Sequence, residues 1–203
     1  MANDLMEPIE VRAFPSKLAP NVKAVASSLV KNQLHIPTAG FVVNVSGDQL
    51  EIPHRVYYQA EKIGRFFEGS NAFDDEAIIA CCLGTRHHDG FLREKCLDQI
   101  VAVDKIWVVP FVVRLVGEYV VEIISRIEEH LPAVRPHIYA EFLCDNPIFL
   151  QRTESQVGSY WDVYYKNQFP VLGDYPGYRV IRGLKKMIHD YDNALRLEKS
   201  GQS

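Results

Sequence analysis

The sequence predicts an all-α fold, a layered helical bundle of about seven to eight helices with one small β-hairpin near residues 41–52. Three observations lead there. From residue 54 onward, apolar side chains recur three and four apart, the spacing that gathers them on one face of an α-helix. Convincing alternation of apolar and polar residues occurs only around residues 41–52. Between these runs stand clusters of Pro, Gly, Asn and Asp that punctuate helices of ordinary length.

In chain order, residues 1–20 hold three prolines and little periodicity, which predicts an irregular N-terminal arm. Val22, Val25, Ala26 and Leu29 predict a short helix over 21–32. Phe41 to Val45, a turn at Ser46-Gly47-Asp48 and then Gln49 to Ile52 read as the hairpin, and Pro53 ends it because proline cannot donate to a ladder. Val56, Tyr57, Ala60, Ile63 and Phe67 share a broad face and predict a helix from His54 to Phe67. Asp74 is placed to cap a helix over 77–85, with Phe73 and Ile78 at the spacing of a hydrophobic staple. Ile78, Ile79, Cys81, Cys82 and Leu83 predict that this helix is buried on most sides.

Asp89 is placed to cap the next helix, whose apolar stripe is Phe91, Leu92, Cys96, Leu97 and Ile100. The longest helix is expected from Asp104 to about Leu131, with Arg114, Glu118, Glu122, Ser125 and Glu129 on one narrow polar arc. Pro132 and Pro136 set it apart from a helix over 137–143, and Asn146-Pro147 marks a further boundary. Thr153-x-x-Gln156 fits a capping box ahead of a helix over 157–169. After a turn at 173–177, Val180, Leu184, Met187, Ile188, Tyr191 and Leu195 give a last amphipathic helix. The organisation expected is a single helical domain over 21–197, between the arm and a disordered tail at 198–203.

Composition narrows the function classes. A chain of 203 residues suits one compact domain, and 47% hydrophobic with 24% charged residues excludes wholesale disorder. A net charge of −4 without clustered cations argues against generic nucleic-acid binding, which needs phosphate neutralisation. The opening MANDLMEPIEVRAF lacks the apolar core of a secretory leader. Ile106 to Ile127 is long enough to span a bilayer, yet it carries Arg114, Glu118, Glu122 and Arg126. Each ionised group near a bilayer centre costs roughly 2.5–3.5 kcal/mol, so no membrane span is expected. Cys81, Cys82, Cys96 and Cys144 show no CxxC spacing, so reduced thiols and a cytoplasmic location are expected.

Asp89, Leu92, Arg93 and Cys96 resemble the second helix of a HEAT-type repeat, which shows an Asp near the helix start, an aliphatic residue, an Arg and then a small residue. The resemblance implies one helix pair over 73–103 and a degenerate second over 105–145. It also implies an Arg reaching the carboxylates of neighbouring repeats. Pro110-Phe111, Gly117 to Val120 and Ser159-Tyr160-Trp161 are similar to segments of uncharacterised bacterial helical proteins, and no activity comes with that likeness.

For chemistry, the sharpest pattern is His88-Asp89. With His54 before it and Asp145 after it, it resembles the ligand order of HD-type metal-dependent phosphohydrolases, which implies a divalent metal activating water for attack on a phosphate ester. The plainer reading makes Asp89 a helix cap and the histidines turn residues. Zinc on Cys81 or Cys82, His87 or His88, Cys96 and Cys144 lacks the paired short spacings of a structural site. Glu118 and Glu122 are paired carboxylates in principle, but with Arg114 they read as an ion-pair ladder on one helix. Tyr160, Trp161, Tyr164, Tyr165 and Phe169 make an aromatic-dense helix of the kind found in cores and at interfaces.

The expectation is therefore a non-catalytic interaction or scaffold module with no cofactor, no metal and a protein partner. Its contact surface is expected to comprise Arg86, His87, Asp89, Arg93, Arg152, Tyr160, Trp161 and Tyr164. A metal-dependent phosphohydrolase using His54, His88, Asp89 and Asp145 is the alternative.

Overall fold

The computed structural model describes residues 7–29, 40–68 and 74–200. The described residues are mostly helical, with one antiparallel hairpin, and form two compact units, Met1–Ile100 and Val101–Ser203.

The first unit begins where an irregular arm was expected. Ile9–Arg12 forms a short helix, α1, and Ala19–Ser28 forms α2. The prolines sit at element starts instead of breaking them: Pro8 and Pro15 immediately precede helical turns, and Pro20 lies in the first turn of α2. There a missing N–H costs nothing. Val11, Phe14, Leu18, Val22 and Val25 are buried along this stretch. The hairpin pairs β1 (Gly40–Val45) with β2 (Asp48–Pro53) in the register Val43↔Leu50 and Phe41↔Ile52. Ser46 and Gly47 both take positive φ, 50° and 90°, which suits the right-handed twist of a two-residue turn. The alternation works as expected: Val43, Val45, Leu50 and Ile52 are buried, and Val42 is 55% exposed on the other face.

The helix expected from His54 starts only at Ala60, as α3 (Ala60–Glu68). Before it the chain is extended, with Val56 and Tyr58 buried and His54 and Gln59 exposed. Val56 bridges His87 in parallel fashion, and its N–H donates to the Arg86 carbonyl at 2.9 Å. Period-two burial therefore overrides the helical spacing of the same residues. The packing centre of this unit is α4 (Asp75–Gly84), which contacts α2, α3 and α5 (Gly90–Ile100) and is buried throughout Ala77–Gly84. Asp74 caps it as expected by accepting from the Glu76 N–H. Phe73, one arm of the expected staple, lies outside the described residues.

In the second unit, the single helix expected over 104–131 is two: α6 (Val109–Val116) and α7 (Val121–His130). Gly117 leaves the helical conformation, Glu118 N–H closes a tight turn on Leu115 O at 3.1 Å, and Val120 is extended. Glycine's conformational freedom makes it the weak point of an otherwise helical run. The helix count thus rises from the seven to eight expected to ten among the described residues, this split and α1 being the additions. Residues 105–145 accordingly hold three helices, ending with α8 (Pro136–Asp145), where one degenerate pair was expected.

Asp104 does not cap a helix; its carboxylate pairs with Arg135 at 2.6 Å. Thr153 is not a cap either. It sits inside α9 (Pro147–Tyr160) and donates to Phe149 O, because the helix already starts at Pro147. The final helix, α10 (Pro176–Ser200), packs against α7 and α8 and runs into the expected tail. No helix among the described residues is long and apolar enough to cross a membrane.

The close approach of α4 and α5 depends on Gly84, where an added Cβ would stand 2.2 Å from Cys96 Sγ and 3.2 Å from an Ile63 methyl. Gly84→Ala is expected to cost about 1–3 kcal/mol in urea unfolding through overpacking. The double variant with Cys96→Ala, which removes the clashing sulfur, is expected to recover part of that loss.

Candidate functional site

Two groups of expected site residues are placed by the fold, one in each unit. The first is the loop between α4 and α5. Arg86, His87 and Arg93 were expected at a contact surface, but their side chains are buried, 0%, 2% and 1% exposed. Each is turned inward to satisfy backbone carbonyls that no helix or sheet serves. Arg86 Nη2 donates to His54 O at 3.0 Å. Arg93, one turn into α5, sends Nη1 to the carbonyls of His87 and His88 at 2.9 and 3.0 Å. His87 Nε2 lies 3.0 Å from Tyr58 O and so carries the ring proton, while Nδ1 accepts from the Asp89 N–H at 3.1 Å. Burial pulls the His87 pKa below its usual value, against a smaller raising effect of the Tyr58 bond.

Asp89 caps α5: its Oδ1 accepts from Phe91 N–H at 2.9 Å, as the sequence suggested. His88 is exposed and stacks on Tyr57 at 5.3 Å. His54 is exposed beside the Phe41 ring, and Asp145, in the other unit, is the exposed last residue of α8. Among the described residues no group of three or more His, Cys, Asp or Glu is placed to hold a metal ion. In this geometry Asp89 is a helix cap and His88 a stacked ring. Cys81, Cys82 and Cys96 are buried and Cys144 is exposed; burial pushes the Cys82 and Cys96 thiols well above their usual range, which disfavours the thiolates a metal needs. Tyr58 also donates to the buried Glu10 carboxylate of α1 at 2.7 Å, and burial raises its own pKa.

The Glu118–Glu122 ladder does not form, since the two residues no longer share a helix. Glu118 is buried in the α6–α7 turn and Glu122 is exposed in the first turn of α7. Arg114 Nη1 donates to Gln156 Oε1 on α9.

The second group surrounds the end of α9, which widens into a π-helical turn over Trp161–Tyr165. Such turns are rare and frequently mark functional positions. Here the widening fans consecutive aromatic residues over the surface. Tyr119, from the α6–α7 turn, lies 6.1 Å from Tyr160, which lies 6.0 Å from Tyr164. Tyr119 is 53% exposed, Tyr164 63% and Val163 68%, so these rings and the adjoining valine are not core. The patch is held from behind. Trp161 Nε1 donates to Phe169 O at 2.8 Å, Tyr165 donates to Tyr119 O, and Tyr165 stacks on the fully buried Tyr175 at 5.4 Å. Arg152 is exposed on α9. The contributions of Tyr119 and Val163 were missed in the sequence; Gly117 was the available signal that the chain turns there and presents Tyr119.

Replacing Asp89 by Ala is expected to lower stability by about 1 kcal/mol through loss of the cap. In equilibrium dialysis with manganese, the variant and the unaltered chain are expected to behave alike, whereas a stoichiometric ion lost with Asp89 would restore the metal-ligand reading. The chain matches no protein-family model, and no curated protein and no solved structure shows significant similarity to it.

Proposed function

We propose that this chain is a non-catalytic helical interaction module, docking a protein partner on the aromatic face around Tyr119, Tyr160 and Tyr164. The observation that carries the reading is the exposure of Tyr119 and Tyr164 on either side of the half-buried Tyr160, on a rigidly backed turn. Tyr and Trp bury large amphipathic area while losing few side-chain rotations, which is why they dominate binding hot spots. Lys166 lies over the Trp161 ring at 5.3 Å and pairs with Asp162 at 2.7 Å, giving the patch a polar rim. The α4–α5 pair, with its Asp89 cap and buried Arg93, supports a HEAT-type unit as the scaffold element of the first unit. The phosphohydrolase alternative draws no support from a loop whose Asp89 is committed to a backbone amide.

A photo-crosslinking phenylalanine analogue at position 164 is expected to give discrete protein adducts in cells, and the same analogue at exposed position 199 is not. Tyr160→Ser combined with Tyr164→Ser is expected to abolish the adduct captured from position 163 while changing stability by about 1 kcal/mol or less. Equal adduct yields from positions 164 and 199 would contradict the proposal.

A further inference from the structure

We propose that the His87 loop is an acid-sensitive latch: protonation of the buried His87 ring frees the extended segment 54–58 and the start of α5 from the loop, while the helices of the second unit stay folded. Both ring nitrogens are already committed to backbone, Nε2 to Tyr58 O and Nδ1 to the Asp89 N–H. A second ring proton must sit on Nδ1, where it faces that N–H donor at 3.1 Å with no acceptor between them. The ring then repels the amide that begins α5 and gives up the bond that holds Asp89 in its capping position.

The charged and titratable surroundings mostly oppose the added proton. On the loop, Arg86 is fully buried and donates to His54 O, and His88 lies 4.2 Å from the His87 ring, ring to ring. From α5 comes the buried Arg93 guanidinium, hydrogen-bonded to the His87 carbonyl. The extended segment contributes Tyr58, whose hydroxyl is turned away to Glu10 of α1, and Tyr57, stacked on His88; His54 and Arg55 ride on the same segment. The Tyr58 carbonyl and, more weakly, Asp89 favour the imidazolium, and Asp89 Oδ1 is held by Phe91 N–H. The closed loop thus holds His87 neutral, with its pKa below 6.5, and a released ring titrates near 6.5. A depressed native pKa contributes stability that is complete above the released value and is lost as pH falls below it. Between pH 7.5 and 5.5 the open form is therefore expected to gain, by at most about tenfold.

Amide hydrogen exchange, corrected for intrinsic rates, tests this. The reporters are Val56, which donates to Arg86 O, and Asp89 and Phe91, whose N–H groups lie on the latch. Their protection is expected to drop severalfold, with a ceiling of about tenfold, between pH 7.5 and 5.5, with Ile124 of α7 unchanged. His88→Ala is expected to keep that response, and His87→Asn, which cannot titrate, to lose it whatever its basal protection. Flat protection in the unaltered chain, or the same response surviving in His87→Asn, would overturn the proposal. Should His87→Asn not fold, NMR titration of the His87 ring in the unaltered chain decides. Ring signals that stay neutral until the reporter amides open support the latch, and titration near 6.5 with those amides still protected overturns it.

Discussion

The first unit depends on one constraint: four carbonyls of the segment after the hairpin and of the loop between α4 and α5, those of His54, Tyr58, His87 and His88, are served by side chains. Arg86, His87 and Arg93 do this from inside, reaching His54, Tyr58, His87 and His88. An unserved buried carbonyl costs about 1–3 kcal/mol, comparable to the whole effect of a typical destabilising substitution. Taking guanidinium groups out of water is expensive unless their donors are used, and several converging carbonyls use them. Cationic residues that look like a binding surface in a linear sequence are thereby consumed as internal scaffolding.

That outcome shows what a sequence reveals and where it stops. Asp74 and Asp89 were legible as caps because capping is local: a carboxylate and an amide two residues on are enough. The hairpin was legible for the same reason, its alternation and its turn residues both lying within 12 residues or so of chain. The burial of Arg93 was not legible, because it depends on where α4 and α5 leave the loop carbonyls. Nor was the extended state of Val56 and Tyr58, whose spacing suits either a helix face or a strand; the bridge to His87, far along the chain, decides between them. The break at Gly117 lay in plain view, but a run of aliphatic residues on both sides outweighed a single glycine.

The second unit poses the opposite balance. Its aromatic residues divide between core and surface, and one of them is core: Tyr175 is fully buried beneath Tyr165 and Phe169. Within the π-helical turn Val163 and Tyr164 are exposed, while Tyr165 of the same turn points to Tyr175 and Tyr160 just before it is half-buried. One extra residue per turn shifts every following side chain around the helix axis, so a helical pattern drawn at 3.6 residues per turn assigns the wrong face beyond it. The same widening gives rings a rigid backing without burying them, the condition under which aromatic side chains bind at low entropic cost.

The account rests most heavily on the claim that the buried cations of the loop are structural clasps. Urea unfolding of Arg93→Met, which keeps the apolar stem and removes the guanidinium, tests it directly. The account predicts a loss of more than about 2 kcal/mol, since the His87 and His88 carbonyls are left without their donor. Stability within about 0.5 kcal/mol of the unaltered chain would contradict it.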